Sequence, residues 1–184
     1  MRLSGITLES LVDGPGLRYV IFTQGCLHCC PHCHNPQSWD VNGGKEFSVK
    51  QIIRLLKQQK KTKRGITFSG GEPFLQASEL AQVALAAQQR GWDVVTYTGF
   101  TYEQLLEDNS DGVKSLLAAT DILIDGKYIH ELHSVKLQFR GSKNQRIINI
   151  PETQKKGQIV LWGNNKSAPS RGVVAINSAR SGAE

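Results

Sequence analysis

The stretch LRYVIFTQGCLHCCPHCHNP, residues 17–36, joins a run of β-branched and aromatic residues to all the cysteines of the chain. Residues 17–23 predict a buried strand, because side chains of this kind pack well in a sheet. The cysteines follow within eight positions, at Cys26, Cys29, Cys30 and Cys33. The strand therefore leads directly into a loop of closely spaced thiols, and this loop is the first candidate for a functional site.

Beyond this loop, predicted helices and strands alternate along the chain. Further strands are predicted at residues 65–69, 92–98 and 121–125, and helices at residues 48–61, 76–90, 102–106 and 112–119. Ser48 is the predicted N-cap of the first helix, and Gly91 the predicted C-cap of the second. Weaker patterns predict edge strands at residues 135–140 and 146–150, and one more strand at residues 173–176. The alternation is typical of βαβ units and predicts an α/β fold with a parallel sheet.

The composition predicts a single globular domain with a polar extension. The 184 residues, 39% of them hydrophobic and 21% charged, fit one domain with an ordinary core. Residues 1–16 lack the apolar run of a signal peptide, and no stretch reaches the ~20 residues of a membrane span. The expected location is the cytoplasm, where clustered thiols stay reduced and favour metal over disulfides. Residues 1–150 are predicted as the domain, and residues 151–184 as a partly disordered extension.

The net charge of +6 is unevenly distributed, since residues 57–64, KQQKKTKR, carry five positive charges and no negative one. A basic patch of this kind can bind nucleic acid or a phosphorylated ligand. The more common origin is a solvated helix end. We therefore do not expect nucleic acid to be the partner.

The four thiols can be grouped in several ways. Zinc ribbons separate their two CxxC pairs by a dozen or more residues, whereas the two pairs here are adjacent and would strain a single tetrahedral site. The spacing Cys26-x3-Cys30-x2-Cys33 suits three corners of a cubane iron–sulfur cluster, with the fourth iron open to another molecule. An open coordination position indicates catalysis rather than simple electron transfer. Spacing alone leaves the reverse grouping, Cys26-x2-Cys29-x3-Cys33, open.

A CxxxCxxC motif after a strand, in a loop that ends in HNP, resembles the signature of the radical S-adenosylmethionine (SAM) enzymes. The resemblance implies that Cys26, Cys30 and Cys33 hold one 4Fe-4S cluster and that SAM chelates its open iron. Cys29 is then the spare thiol, with a small side chain that fills space.

The same resemblance assigns roles to the histidines of the loop. His32 stands where many members place an aromatic residue against the adenine of SAM. His28 and His34 are expected at the loop surface rather than as metal ligands. The SAM contacts implied within this loop are His32, Cys33 and His34.

Two further motifs resemble SAM-binding segments of that family. The sequence SGGEP, residues 69–73, follows the second predicted strand and matches the motif that holds the methionine amino group through backbone carbonyls. The sequence DGK, residues 125–127, matches an Asp-x-Lys pattern at the end of a later strand, although any Asp-Gly turn would look the same. The contacts implied by these motifs are Gly70, Gly71, Glu72, Asp125, Gly126 and Lys127.

Other segments resemble the glycyl-radical-enzyme activases within the radical SAM family. They are VDGPGLRYVIF at residues 12–22, SWDVNGGKEF at residues 38–47, YTGFTYEQL at residues 97–105 and QFRGSKNQRII at residues 138–148. The last two are most similar to the activases of anaerobic ribonucleoside-triphosphate reductase. Pyruvate formate-lyase activases place an acidic residue, which meets a cation or ribose hydroxyls, where Thr96 or Tyr97 stands here. We therefore predict no metal at this position.

The resemblance implies an enzyme that cleaves SAM reductively to a 5′-deoxyadenosyl radical and generates a glycyl radical on the reductase. Its partners would be that reductase and a low-potential electron donor. It also implies an incomplete, splayed parallel β/α barrel, because a full eight-unit barrel takes ~250 residues. One alternative is the activation of another glycyl radical enzyme, such as pyruvate formate-lyase. An alternative of a different class is a zinc-dependent nucleic-acid-binding module.

Overall fold

The computed structural model of the protein describes residues 1–59 and 65–163. Its strands form one seven-stranded sheet. The strands are β1 (Arg2–Ser10), β2 (Arg18–Thr23), β3 (Lys45–Glu46), β4 (Gly65–Gly70), β5 (Asp93–Tyr97), β6 (Ile122–Asp125) and β7 (Arg146–Asn149). The helices are α1 (Val49–Gln58), α2 (Ala77–Gln88), α3 (Tyr102–Glu107), α4 (Asp111–Ala119) and α5 (Ile150–Lys156).

The strand order in the sheet is β3-β1-β2-β4-β5-β6-β7. The four central strands β2, β4, β5 and β6 are parallel, whereas β1, β3 and β7 pair antiparallel with their neighbours. The loops at the carboxyl ends of the four parallel strands therefore lie along one edge of the sheet, where ligand sites of such sheets are usually found. The predicted α/β class with a parallel sheet is confirmed for the centre of the sheet.

The main core lies between the sheet and the helices α1, α2 and α4. The helices contribute apolar side chains such as Ile52, Leu80 and Leu116, which are fully buried. These pack on alternate residues of the central strands, including Ile66 and Phe68 of β4. The other face of the sheet carries a smaller cluster, namely Val95, Ile122 and Ile124 with Tyr97, Phe139, Ile147 and Trp162 against them. Helices thus cover one face, while loop segments cover the other and leave space there.

Most predicted elements are confirmed, with ends shifted by one or two residues. Ser48 caps α1 through a capping box with Gln51. The predicted end of this helix at residue 61 was wrong, because α1 ends at Gln58 and Gln59 already has an extended backbone. The helix α2 ends at Gln88, so Gly91 is not its C-cap. Gly91 lies in the turn to β5 with a φ of 76°, a conformation that glycine adopts without strain.

One predicted strand was wrong, and three elements were not predicted. Residues 135–140 form no strand, because Phe139 has a left-handed φ of 57° and the outer edge of β7 already pairs with residues 160–162. The strands β1 and β3 and the helix α5 were not predicted. The predicted strand at residues 173–176 lies outside the described residues. The division of the chain at residue 150 stays a prediction, as does the barrel, because the strand order alone does not establish one.

None of the helices in residues 1–59 and 65–163 has the length and apolar character needed to cross a membrane.

Candidate active site

The four parallel strands end around one cavity of ≈ 360 Å³. Thr23 at the end of β2 pairs with Gly70 at the end of β4, so the loops that follow these strands start side by side. The volume lies within the range of small-molecule and cofactor sites. The predicted site residues that line the cavity are Cys26, Cys30, Cys33, His34, Gly70, Gly71 and Gly126. Loops after β2, β4 and β6 therefore meet at this cavity.

The cysteine loop, residues 25–39, is closed at its base by backbone hydrogen bonds. The Gly25 N–H donates to Ser38 O at 2.8 Å, and the Cys26 N–H donates to Trp39 O at 3.1 Å. The Glu72 N–H donates to Gly25 O at 2.8 Å, so the motif after β4 holds the same base. This pairing fixes where the loop leaves and rejoins the sheet.

The winding of the loop places three thiols in the cavity and leaves the fourth outside. Cys26, Cys30 and Cys33 line the cavity, whereas Cys29 is exposed and does not. Cys29 and His32 have left-handed φ angles of 45° and 57°, which are uncommon for residues other than glycine. The Cys33 N–H donates to Cys30 O at 3.1 Å and forms a tight turn between these two ligand candidates. These reversals of the backbone lie in the segment whose residues Cys26, Cys30 and Cys33 line the cavity.

The protein environment affects the protonation of two of these thiols. Burial raises the pKa of Cys26 and of Cys30. At Cys30 the rise in pKa is opposed by the Tyr128 backbone N–H and by the Lys127 ammonium group. Iron binds the thiolate, so formation of a cluster must displace these protons.

The donor set fits a cubane cluster. Within the described chain, no group of three histidine, cysteine, aspartate or glutamate side chains is arranged to hold one metal ion. A cubane offers a different iron to each thiolate, so its three ligands need not converge on one point. Three thiols around a cavity of cofactor size therefore fit a 4Fe-4S cluster with one open iron.

The glycines of the SGGEP motif are required by the approach of two strands. A Cβ atom at Gly70 would lie 2.7 Å from the Thr23 backbone, and one at Gly71 would lie 2.3 Å from Gly25 O. Gly70 also has a φ of 93°. Both residues line the cavity, so the lack of a side chain leaves their backbone accessible to a ligand.

The Glu72 carboxylate lies behind the cavity wall. It is 1% exposed and accepts hydrogen bonds from two backbone N–H groups, a hydroxyl and a histidine ring. The histidine is His28, whose side chain is 10% exposed. The expectation that His28 lies at the loop surface was therefore wrong, because this ring is held between the loop and the end of β5.

The DGK motif places its three residues in different environments. Asp125 is 1% exposed, and its carboxylate accepts from the Arg146 guanidinium and from the Tyr102 backbone N–H. Gly126, with a φ of 97°, is the member of the motif that lines the cavity. Lys127 is exposed, and its charge acts on Cys30.

The loop that joins β6 to β7 forms the opposite wall of the cavity. Its RGSKNQR segment, residues 140–146, closes the loop through side-chain hydrogen bonds. The Gln145 side chain donates to Gly126 O at 3.0 Å and accepts from Gly141 N at 2.9 Å, and Asn144 donates to Lys127 O at 2.8 Å. The RGSKNQR segment therefore shapes the cavity wall.

Contacts between aromatic rings join this loop to the cysteine loop. The ring centroids of His32 and His130 are 4.1 Å apart, and those of His34 and Tyr128 are 4.9 Å apart. His34 and Tyr128 line the cavity, but His32 does not. As predicted, His34 is exposed.

Several cavity residues were not predicted from the sequence. They are Val12, Asp13, His28, Asn35, Trp39, Ser69, Tyr97, Thr98, Gly99, Tyr128, Leu137, Phe139, Arg140, Gly141 and Gln145. Many of them lie in the DGPG, YTGF and RGSKNQR segments, which had been noted only for their resemblance. These segments lie next to the ends of successive strands. That position in the sequence could have predicted that they reach the cavity.

The chain matches known proteins over most of its length. Residues 12–148 match the family described as "4Fe-4S single cluster domain". The chain is 34% identical to the anaerobic ribonucleoside-triphosphate reductase-activating protein of Vibrio cholerae, over 74% of this chain and 90% of that protein. It is 32% identical to the protein of the same name from Escherichia coli strain K12, over 76% of this chain and 93% of that protein.

Two other matches cover a smaller part of this chain. The chain is 37% identical to the pyruvate formate-lyase-activating enzyme of Clostridium pasteurianum, over 58% of this chain and 48% of that enzyme. The crystal structure of QueE from Escherichia coli is similar with a TM-score of 0.42 and 19% identity, over 54% of this chain and 53% of that one. That structural similarity is too low to support an argument.

The family match and the extent of the sequence similarity agree with the cavity and its thiols. The chain therefore belongs to the anaerobic ribonucleoside-triphosphate reductase-activating proteins, which are radical SAM enzymes with a 4Fe-4S cluster and SAM as cofactors.

Proposed function

We propose that this enzyme generates a glycyl radical on anaerobic ribonucleoside-triphosphate reductase. The observation that carries the proposal is the arrangement of Cys26, Cys30 and Cys33 around one cavity, with Cys29 outside it. The similarity to relatives named as activating proteins of this reductase, over about nine-tenths of their length, supports the choice of partner.

In this proposal, Cys26, Cys30 and Cys33 hold the cluster through their thiolates. When bound, the cluster would supply the electron for reductive cleavage of SAM to methionine and a 5′-deoxyadenosyl radical, and this radical would take a hydrogen atom from a glycine Cα of the partner. The cofactors carry the electron transfer and the bond cleavage. The protein positions them and limits the access of water. A low-potential electron donor must restore the electron in each cycle.

The residues proposed to contact SAM are those whose backbone or side chain is available at the cavity. Gly70, Gly71 and Gly126 offer backbone atoms there, and Cys33 and His34 line the same space. The Lys127 charge opposes the rise in the pKa of Cys30. We propose that the same ammonium group pairs with the carboxylate of SAM.

Three residues that the sequence motifs predict as SAM contacts do not line the cavity. Glu72 and Asp125 are buried and hydrogen-bonded within the protein. The His32 ring contacts the His130 ring and does not line the cavity. We propose that Glu72 and Asp125 support the cavity from behind, while His32 would reach adenine only at the cavity edge.

The partner polypeptide must reach the cavity from an open side. Exposed apolar side chains lie on the loops around it, with Val12 77%, Leu27 73% and Val135 89% exposed. A partial barrel, with helices on one face of the sheet and loops on the other, would admit a peptide segment. The splayed barrel, the cytoplasmic location and the division of the chain at residue 150 are parts of this proposal.

Activation of pyruvate formate-lyase is the second candidate function, because one relative named for that activity is 37% identical. The chain spans only 48% of that relative. This partial coverage favours the reductase as the partner.

Two measurements test the proposal. Anaerobically purified protein should be brown and contain about four irons per chain; a colourless protein with one zinc would support the nucleic-acid-binding alternative instead. The reconstituted enzyme, SAM and a reductant should then be mixed with the reductase or with pyruvate formate-lyase. Electron paramagnetic resonance (EPR) should detect a glycyl radical on the reductase, and a radical on the lyase alone would refute the choice of partner.

A further inference from the structure

His28 lies between the first two cysteines of the CxxxCxxC motif, and its ring is held from three directions. Its Nε2 is 2.9 Å from Glu72 Oε2. Its ring meets the Phe100 ring edge-on, with centroids 4.6 Å apart. A Cβ atom at Gly99 would lie 2.3 Å from His28 Cδ2, so the ring packs directly on a backbone without a side chain. A ring held in this way is fixed in place.

The partner of His28 is a buried carboxylate whose oxygens are fully used. Glu72 Oε1 accepts from Phe74 N at 3.0 Å and from the Thr98 hydroxyl at 2.9 Å. Glu72 Oε2 accepts from Gly99 N at 2.8 Å and from His28. A carboxylate has about four acceptor positions, and all of them are accounted for. Glu72 therefore connects the cysteine loop to the ends of β4 and β5 and has no acceptor left for a cofactor.

This network acts on the first cysteine of the motif. His28 lies two positions after Cys26, and both residues line the same cavity. The backbone N–H groups of His28 and Cys29 hydrogen-bond the Cys26 sulfur. Hydrogen bonds to ligand sulfurs and nearby charge are two factors that set the reduction potential of an iron–sulfur cluster.

We propose that the His28–Glu72 pair positions Cys26 and sets the reduction potential of the bound cluster. Both residues are then positioning residues, and Glu72 is not a contact of SAM. The inference rests on the proposed function, because it requires a cluster at the three cysteines. The Glu72 carboxylate anchors the side chain of His28, which lies between the proposed ligands Cys26 and Cys30. This anchor orients the backbone N–H groups that face Cys26.

The first test measures the reduction potential of the reconstituted cluster without SAM, by EPR-monitored redox titration. Glu72→Gln should shift the midpoint potential to a more positive value, because it removes a negative charge next to a ligand. His28→Ala should alter the EPR line shape and the potential, whereas His28→Gln, whose amide can donate to Glu72, should restore values close to the wild type. Glu152→Gln is the matched control, because Glu152 lies on α5 outside this network, with its side chain 40% exposed and paired with Lys156. Its variant should keep the wild-type potential.

The second test measures how fast a chelator removes iron from the holoprotein. Loss of a hydrogen bond to a charged group should accelerate iron loss by roughly 10- to 100-fold in His28→Ala. The His28→Gln variant should be close to the wild type. If Glu72→Gln does not fold, the two His28 variants still decide the matter, because His28 makes a single side-chain hydrogen bond in this network.

The outcomes separate this inference from the proposed function. Wild-type protein that binds no iron would overturn both. Wild-type protein with about four irons, together with variants that keep the wild-type potential, line shape and iron retention but bind SAM more weakly, would overturn the inference alone. That result would make Glu72 a direct contact of SAM.

Discussion

Replacement of Asp125 by asparagine separates the two roles that the DGK motif suggests, a contact to SAM and a support inside the protein. The Asp125 carboxylate accepts from Arg146 Nε at 3.0 Å, from Arg146 Nη2 at 2.5 Å and from Tyr102 N at 2.8 Å. Asparagine has the same shape, but one oxygen becomes an NH₂ group that points at these donors. The variant therefore keeps the packing and loses acceptors.

The magnitude follows from the number of donors left without an acceptor. Each such buried donor costs about 1–3 kcal/mol, and either orientation of the asparagine amide leaves one or two of them. Arg146 retains its two hydrogen bonds to Glu103, at 2.9 and 2.7 Å, so it does not become an isolated charge. We expect the free energy of unfolding to fall by about 2–4 kcal/mol. With a urea slope of about 2 kcal/mol/M, the unfolding midpoint should fall by about 1–2 M.

The assay is urea unfolding of the cluster-free protein under reducing, oxygen-free conditions, followed by circular dichroism. Lys127→Gln is the control within the same motif. Lys127 is exposed, so its variant should change the free energy of unfolding by no more than about 0.5 kcal/mol while weakening SAM binding to the reconstituted enzyme. The reasoning is refuted if Asp125→Asn unfolds at the wild-type urea concentration and instead binds SAM poorly.

Three further variants test other parts of the site. Cys30→Ser should prevent retention of the cluster in an iron assay, whereas Cys29→Ser should keep about four irons; the opposite pattern would establish the reverse ligand grouping. Gly71→Ala should destabilise the protein by about 1–3 kcal/mol, because its Cβ would lie 2.3 Å from a backbone oxygen of the cysteine loop; unchanged unfolding would argue against this close approach. Hydrogen bonds from Arg146 lower the pKa of Glu103 from 4.5 to about 2. The native state thus favours the Glu103 carboxylate, so the stability advantage of wild type over Glu103→Gln should be complete above pH 4.5 and disappear as the pH falls to about 2. A difference that is independent of pH would contradict this account.

The local elements and the candidate ligands were predictable because their signals are short-range. The β-branched run of residues 17–23, the N-cap at Ser48 and the CxxxCxxC spacing each lie within a few positions of sequence. Such patterns depend on backbone preference, capping and ligand reach, which neighbouring residues determine. The strand β1 was not predicted, because its nine residues, RLSGITLES, mix polar and apolar side chains at an antiparallel edge and show no continuous apolar run.

The sequence alone thus determined the order of helices and strands and the four thiols from which cluster ligands can be drawn. Only the tertiary structure decided which thiol lies outside the cavity and what Glu72 and Asp125, the two acids of the motifs, contact. Glu72 meets His28 across 44 positions, and Asp125 meets Arg146 across 21. The physical reason is that a buried carboxylate must find donors wherever the packed loops place them, and no local pattern specifies which loops will meet.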